Sequence, residues 1–234
     1  MSVDRRENRL RMIRRKLREV GPAYAAQRAF FRIVPAWLFR FNALVVVVAE
    51  LDPGSRALKR DPAVRWGSEA DLPEISRIGF DLEQCRSWLD DGARFAVFEH
   101  EGRIEGCSWF QDGFQDYEGW LLFVSPQTGT WSRATVISPR LRGQGAFPRI
   151  LAYVYADLGR SRITHVFAPI DALNRNSIRA GEKSGTRLLL RLYYLRFLNL
   201  TIVSVGGRIS AGLWGRGKPF EINVEPFLPP ASPT

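Results

Sequence analysis

This chain has few of the residues from which metal centres and redox motifs are built. Its 234 residues include two cysteines and two histidines. Cys85 and Cys107 lack the spacing of a zinc or redox motif, and His100 and His165 are too few for a multi-histidine metal site. The longest apolar run, residues 43–49, is too short to span a bilayer. We therefore expect no metal ion and no transmembrane helix. Since no signal-peptide pattern opens the sequence, we also expect a cytoplasmic location.

Acidic residues are scarce in one part of the chain, which makes the charge uneven. Residues 1–60 contain 14 Lys/Arg and 5 Asp/Glu, a net charge of +9, whereas residues 61–234 contain 20 and 19, a net charge of +1. The 45% apolar content and seven tryptophans are typical of a folded protein with one sizeable core. Because the body of the chain is nearly neutral, we expect no nucleic-acid partner.

The excess positive charge lies mainly in a helix predicted over residues 4–20. Its narrow apolar stripe consists of Leu10, Ile13, Leu17 and Val20. Three interpretations are open: the stripe packs on the domain, the helix contacts an anionic membrane surface, or its charges contact nucleic acid. The aromatic-rich segment that follows favours packing, and peripheral membrane contact through residues 4–20 is the alternative that we retain.

The most informative segment runs from Val136 to Phe147. β-Branched residues predict a strand that ends at Pro139, and Gly143 and Gly145 permit backbone conformations that side chains would block. The helix predicted next has apolar residues at helical spacing, namely Phe147, Ile150, Leu151, Val154, Tyr155 and Leu158. A glycine turn before a helix presents unpaired N–H groups and the positive end of the helix dipole, which suits a pyrophosphate. The segment therefore predicts a site for a phosphate-bearing cofactor, with Arg140 and Arg142 near its charge.

The residues around these glycines exclude two other glycine-loop classes. No Lys-Ser/Thr follows the second glycine, as it would in a Walker loop. The third glycine and the ribose-binding acid of the dinucleotide fingerprint are also missing. The remaining alternative is an ordinary strand–turn–helix corner whose arginines are only solvated.

A second motif lies downstream, beyond a strand predicted over residues 163–168. Residues 174–186 resemble the second signature of the GNAT acyltransferase superfamily, in which an Asn and a small residue open a short helix that ends in Glu-Lys-x-Gly. The matching residues are Asn174, Ser177, Glu182, Lys183 and Gly185, and those matching the first GNAT signature are Ile137, Pro139, Arg142, Gly143 and Gly145. The resemblance covers about residues 64–197, and both signatures lie in its second half.

The resemblance implies an α/β (α+β) fold with a mixed, mostly antiparallel central sheet flanked by helices. We assign this GNAT-like domain to residues 61–205, with a helix and strand extension over residues 1–60 that packs on it and a Gly/Pro-rich tail over residues 206–234. Other helices are predicted over residues 23–32, 72–78 and 82–89. Other strands are predicted over residues 43–49, 64–67, 93–99, 103–110, 119–124, 131–138, 186–198 and 201–205.

The resemblance also implies roles for individual residues. The backbone of Val136 and Ile137 would bind the pantetheine arm of an acyl-CoA and polarise its thioester. The pyrophosphate would be held by Arg142, Gly143, Gln144, Gly145, Ala146 and Phe147. Asn174 and Ser177 would lie near the pantetheine and the sulfur, although Ser177 has an alternative role as the cap of the helix that it starts.

Three residues depart from the family pattern. Phe147 stands where Gly or Ala is usual, and Thr186 replaces the customary aromatic residue. Gly181 stands where many members carry a tyrosine proposed to protonate the departing thiolate. The chain therefore needs another proton donor if it is an enzyme of this family.

The catalytic candidates are Glu118, Ser177 and Tyr193. Glu118 belongs to a cluster of polar residues before a predicted strand and is the candidate general base. Tyr193, or its neighbour Tyr194, could donate a proton in place of a residue at position 181. For each of these residues the alternative is structural: a solvated loop carboxylate for Glu118, and strand residues packed in the core for the two tyrosines.

Together these features predict transfer of an acyl group, from acetyl-CoA or a longer acyl-CoA, to the amine of a small-molecule acceptor by direct attack. One rival is a non-catalytic CoA-binding or scaffold protein with the same fold. A more distant rival is a membrane-surface adaptor that uses the basic N-terminal helix. The oligomeric state is open, and a dimer is compatible with the sequence.

Overall fold

The computed structural model describes residues 22–35, 38–51, 61–214 and 218–229, and the helix predicted over residues 4–20 lies outside them. The described helices are α1 (Pro22–Ile33), α2 (Leu72–Arg77), α3 (Leu82–Asp90), α4 (Ala146–Leu158) and α5 (Arg175–Lys183). The first six strands are β1 (Phe39–Glu50), β2 (Val64–Trp66), β3 (Arg94–His100), β4 (Arg103–Asp112), β5 (Phe114–Tyr117) and β6 (Leu121–Val124). The others are β7 (Gly129–Ile137), β8 (His165–Asp171), β9 (Arg187–Phe197), β10 (Leu200–Val205), β11 (Arg208–Gly212) and β12 (Phe220–Asn223). None of the described helices is long and apolar enough to cross a membrane.

The chain is divided into two compact units. The first unit comprises residues 1–47 and 170–215, and the second unit comprises residues 48–169 and 216–234. The predicted boundaries at residues 60 and 205 follow changes in composition, and the division in the structure differs from them. In the first unit, strands from both ends of the chain are neighbours, in the order β11-β10-β9-β1. Such long-range pairing leaves no mark on local composition.

The central sheet of the second unit has the strand order β8-β7-β4-β3-β2. β2 and β3, β3 and β4, and β4 and β7 pair antiparallel, whereas β7 and β8 pair parallel. The β3–β4 hairpin turns at Glu101 and Gly102, whose positive φ angles of 53° and 71° form a tight turn. The two strands predicted over residues 93–99 and 103–110 are confirmed, and they form this hairpin.

Helices cover both faces of this sheet. On one face, Ile150 of α4 packs in a core that includes Phe98 of β3. On the opposite face, Ile75 of α2 packs in a second core that includes Val97 of β3. Val97 and Phe98 are consecutive, and consecutive strand residues point to opposite faces. The predicted mixed, mostly antiparallel sheet with flanking helices is confirmed.

A separate three-stranded sheet, with the order β12-β6-β5, also belongs to the second unit. β6 pairs antiparallel with β5 and parallel with β12, so residues 119–124, predicted among the strands of the main sheet, contribute to this smaller one. An aromatic row links the two sheets: the ring centroids of Phe123 and Trp131 are 5.4 Å apart, and those of Trp131 and Phe167 are 5.0 Å apart. Such a contact arises from packing and has no signature in a single strand.

Residues 206–234, predicted as a Gly/Pro-rich tail, contain two strands. Gly206 and Gly207 have φ angles of 55° and 84° and form the turn between β10 and β11. β11 pairs antiparallel with β10 in the first unit, and β12 pairs with β6 in the second unit. The glycines therefore shape a hairpin turn within the segment predicted as a Gly/Pro-rich tail.

Candidate functional site

β7 is paired along most of its length on one side only. Its register with β4 extends to Ile137, whereas its pairing with β8 ends at Trp131. β8 itself continues to Asp171, so the two parallel strands diverge after Trp131. Among the described residues, no strand pairs with the β8-facing side of residues 132–137, which we call the open edge of β7.

The backbone groups of β7 alternate in direction along the open edge. The N–H of Ser138 donates to the carbonyl oxygen of Glu105 at 2.8 Å, so Ser138 points its backbone towards β4. Val136, two residues earlier, points the same way. Thr135 and Ile137 therefore direct their N–H and C=O groups towards the open edge. Of the two strand residues predicted for the pantetheine arm, Ile137 has its backbone on this edge, and Thr135 joins it.

Two glycines of the turn after β7 lie in the left-handed region. Gly143 and Gly145 have φ angles of 76° and 83°. Apart from chain neighbours, no heavy atom lies within 4 Å of the place that a Cβ would take at either glycine, so the surface above them is open. Gln144 stabilises the turn, because its N–H donates to the carbonyl of Leu141 at 3.2 Å and its Nε2 donates to the carbonyl of Arg140 at 2.6 Å.

α4 begins directly after this turn, with Gly145 as its N-cap residue. No side chain caps the helix, and its first turn contains no acidic residue. The N–H groups of Ala146 and Phe147 have no acceptor within the helix, since the first N–H groups of any helix lack one. Phe147 stands where the family pattern has Gly or Ala. Its ring packs against the hydrophobic core, so its backbone N–H remains available at the start of the helix. Unpaired N–H groups at the positive end of a 13-residue helix suit an anion.

The two arginines of the turn have different surroundings. Arg140 contacts Glu105 at 2.5 Å and Glu101 at 3.5 Å. The guanidinium of Arg140 holds the pKa of the largely buried Glu105 below its ordinary range. Arg142 is exposed, and its Nε donates to the carbonyl of Ile137 at 3.2 Å. Arg140 therefore ties the turn to β4, while Arg142 lies at the end of the open edge.

The second GNAT-like motif lies in the first unit and forms the N-terminus of α5. Asn174 is the N-cap residue, and its Oδ1 accepts a hydrogen bond from the N–H of Ser177 at 3.2 Å. The alternative prediction that Ser177 caps this helix is wrong, because Asn174 is the cap. The side chain of Ser177 is exposed in the first turn. The roles of both residues towards a cofactor stay predictions.

Two departures from the family pattern, Gly181 and Thr186, contact each other. A Cβ at Gly181 would lie 2.7 Å from Oγ1 of Thr186, which is closer than Cβ contacts normally are. The N–H of Thr186 donates to the carbonyl of Gly181 at 3.1 Å. Any side chain at position 181 would therefore require the Thr186 hydroxyl to move, so the two departures from the family pattern are neighbours in the structure. Position 181 supplies no proton donor.

The candidate proton-transfer residues lie in different units. Glu118, in the second unit, is exposed in the turn between β5 and β6 with a φ angle of 57°, and Asp116 accepts from the N–H of Gly119 at 2.7 Å in the same turn. Tyr193, on β9 of the first unit, is 49% exposed, whereas its neighbour Tyr194 is buried. Tyr193 is therefore outside the core, and the catalytic roles of Glu118 and Tyr193 stay predictions.

Arg133 is a notable residue of β7 that sequence reasoning missed. The register between β4 and β7 shifts between residues 132 and 134, which makes Arg133 the extra residue of a β-bulge. Its Nη1 donates to Oε1 of Gln111 at 3.1 Å, and its guanidinium lies 5.0 Å from the ring of Trp88. Burial lowers the pKa of Arg133. Since a bulge depends on the register of two strands, the local sequence contained no signal for it.

Cys107 and His165 both belong to strands of the second unit. Cys107 is fully buried on β4, and burial raises the pKa of its thiol; burial also raises the pKa of Cys85 to about 11. Both thiols are therefore poor nucleophiles at neutral pH. His165 begins β8 and stacks on Phe167, with ring centroids 5.9 Å apart. Within the described ranges, no group of three or more His, Cys, Asp or Glu residues could hold a metal ion.

Several solved acetyltransferase structures are similar to this chain. A GNAT-family acetyltransferase structure from Novosphingobium aromaticivorans is 20% identical with a TM-score of 0.48; the match covers 66% of this chain and 63% of that one. A ribosomal-protein-alanine N-acetyltransferase from Brucella melitensis is 26% identical with a TM-score of 0.41, covering 52% of this chain and 82% of that one. A Salmonella typhimurium structure containing acetyl-CoA is 20% identical with a TM-score of 0.38, covering 52% and 77%. No protein-family model and no curated protein sequence matches the chain.

Proposed function

We propose that this chain transfers an acyl group, in the first place acetyl, from acyl-CoA to the amine of a small-molecule acceptor. One observation carries the proposal: the open edge of β7 leads through residues 138–145 into the uncapped N-terminus of α4. An extended arm that contains amide groups needs an unpaired strand edge, and a pyrophosphate needs a cluster of N–H donors. Acyl-CoA contains both groups in one molecule.

The residues present fit the two ends of this ligand. At the phosphate end, the surface above Gly143 and Gly145 is open, the N–H groups of Ala146 and Phe147 begin the uncapped helix, and the exposed Arg142 adds a cation in the same turn. The absence of side chains at the two glycines lets phosphate oxygens approach the backbone. At the other end, the backbone of Thr135 and the N–H of Ile137 would pair with the arm as an additional strand would, while the Ile137 carbonyl accepts from Arg142.

The proposed reaction is direct acyl transfer without a covalent enzyme intermediate. Bound acyl-CoA supplies a thioester; the amine nitrogen forms a bond to its carbonyl carbon, the carbon–sulfur bond breaks, and the amine proton is lost while the thiolate gains one. A backbone N–H on the open edge would stabilise the oxyanion. We assign Glu118 to proton removal, Tyr193 to proton donation and Ser177 to the surroundings of the sulfur. Arg133, on the α3 side of β7, is our candidate for contact with the acceptor.

A second function, acyl-CoA binding without catalysis, is favoured by one specific observation. Gly181 and Thr186 pack together where the family pattern has a proton donor. A chain that had lost turnover would tolerate this pair, whereas an enzyme must donate the proton from elsewhere. A cytoplasmic location is part of either proposal.

Calorimetric titration of the full chain with acetyl-CoA, CoA and a long-chain acyl-CoA tests the cofactor site. We expect saturable binding, weakened about tenfold in Arg142→Ala because a charge-assisted contact to phosphate is lost. Arg162→Ala is the matched control, since Arg162 is an exposed arginine of the same unit outside the proposed site. Failure of all three ligands to bind would overturn the cofactor proposal. If they bind, the preferred length of the acyl chain would define the acyl donor.

Replacing Glu118 by glutamine tests catalysis separately from binding. If Glu118 is the general base, kcat should fall by about 100-fold or more while the acetyl-CoA affinity stays unchanged. The measurement is release of the CoA thiol with a panel of primary amines. Glu221→Gln, on β12 of the same small sheet, is the control. Unchanged turnover would remove Glu118 from the mechanism, and acyl-CoA binding without thiol release for any amine would favour the non-catalytic function.

A further inference from the structure

Exposed hydrophobic side chains are concentrated in the first unit. Of the fourteen large hydrophobic residues that are exposed in the described part of the chain, Phe114 and Phe227 belong to the second unit and the other twelve to the first. The first unit is nevertheless the shorter of the two. A contiguous group of exposed apolar residues on a soluble surface marks a binding site more often than single ones do.

Strand pairing places five of these residues on one face of the β9–β10–β11 sheet. Phe197 is opposite Leu200, and Ser204 is opposite both Tyr193 and Ile209, while Ile202 lies between Leu200 and Ser204 on the same face. Their exposed fractions range from 36% to 74%. We call Phe197, Leu200, Ile202 and Ile209 the apolar face; Tyr193 borders it and keeps its proposed role in proton donation.

Positive charge adjoins the apolar face. Arg187 and Arg191 are exposed and lie an even number of residues before Tyr193 on β9, which puts them on the same side of the sheet. The sequence contains no acidic residue between Glu182 and Glu221. The first unit as a whole has 18 Lys/Arg and 5 Asp/Glu, a net charge of +13, and the second unit has 16 and 19, a net charge of −3.

We propose that the apolar face and its arginines bind the surface of an anionic phospholipid membrane. Apolar side chains gain by entering the boundary between headgroups and acyl chains, while arginines at the same face pair with lipid phosphates. A second copy of the chain is disfavoured on this face because two units of +13 would oppose each other. A nucleic acid would be attracted by the arginines but would leave the apolar side chains without a partner, because protein–nucleic acid interfaces are polar. This surface is distinct from residues 4–20, whose membrane contact is a separate proposal.

Co-flotation of the full chain with phosphatidylcholine vesicles, with or without phosphatidylglycerol, tests the surface. We expect binding to the anionic vesicles only, and weaker binding as salt is raised. Phe197→Ser combined with Ile209→Ser should lower the partition about tenfold through lost apolar burial, and Arg187→Gln combined with Arg191→Gln should do so through lost charge. Thermal melting of each variant checks that it is folded.

Two control variants in the second unit match these changes. Phe114→Ser with Phe227→Ser removes the two exposed large hydrophobic residues there, and Arg160→Gln with Arg162→Gln removes two exposed arginines. Both controls should bind vesicles like the wild type. The proposal is overturned if the chain does not bind anionic vesicles. It is also overturned if the two double variants of the β9–β11 sheet, at Phe197 with Ile209 and at Arg187 with Arg191, bind as well as the controls do. Loss of vesicle binding in Arg14→Gln with Arg15→Gln alone would assign the contact to residues 4–20 and overturn the proposal. So would a finding that the double variants of the β9–β11 sheet convert a dimer to a monomer, or that they abolish binding to an oligonucleotide.

Discussion

Replacing Gly145 by valine is expected to weaken acetyl-CoA binding by about 10- to 100-fold. Gly145 has a φ angle of 83° at the N-cap of α4, a conformation that β-branched residues adopt only with strain. The new side chain would also project into the open space above the turn. Each hydrogen bond lost to a charged phosphate is worth about 1.5–3 kcal/mol, which gives the expected range. The measurement is a calorimetric titration of the variant at a temperature where it is fully folded.

Gly92→Val is the matched control for this change. Gly92 has a φ angle of 81°, has no heavy atom beyond its chain neighbours within 4 Å of the place that a Cβ would take, and lies after α3, outside the turn proposed to hold the phosphates. Both variants should lose about 1–3 kcal/mol of stability through backbone strain. Only Gly145→Val should lose affinity. Equal affinities in the two variants would contradict the role of this turn as a phosphate site.

Replacing Trp131 by alanine is expected to destabilise the second unit by about 3–5 kcal/mol. Trp131 is fully buried and contacts the rings of Phe123 and Phe167, so its removal opens a cavity between the small sheet and the central sheet. It is also the last residue of β7 that pairs with β8, at the point where the open edge begins. The free energy of unfolding in urea, followed by circular dichroism, measures the loss.

Trp131→Phe separates ring packing from hydrogen bonding. The phenyl ring retains much of the aromatic contact, and the change removes an indole N–H that is buried without an acceptor among the described residues. We expect less than half of the alanine loss, about 1–2 kcal/mol. A phenylalanine variant as unstable as the alanine variant would show that Trp131 donates a hydrogen bond, and an alanine variant close to wild type would contradict the packing described for β7.

Local patterns were sufficient to predict the elements that build the candidate site. The β-branched run before Pro139, the two glycines and the apolar stripe from Phe147 predicted the strand, the turn and α4, because each depends on backbone preferences or helical spacing over a few residues. The structure gives the two glycines left-handed φ angles and leaves α4 without a capping side chain. The hairpin at Glu101 and Gly102 was predictable for the same local reason.

Other features depended on contacts between distant segments. The composition of residues 206–234 indicated a Gly/Pro-rich tail, but Gly206 and Gly207 turn a hairpin because β10 is present to pair with β11. Gly181 and Thr186 are two separate departures in the sequence, and only the structure shows that they are in contact. The Arg133 bulge likewise required the register of β7 against β4.

The sequence by itself determined the strand, turn and helix that build the candidate site and the residues of the glycine turn, because these follow from short-range conformational preferences. The tertiary structure alone decided where β7 loses its partner, which backbone groups face the open edge, and how apolar and basic residues gather on the sheet of the first unit. Register and divergence of strands are properties of pairs, so no single segment specifies them. The same limit explains why the proposed lipid-binding face became visible only when β9, β10 and β11 were aligned.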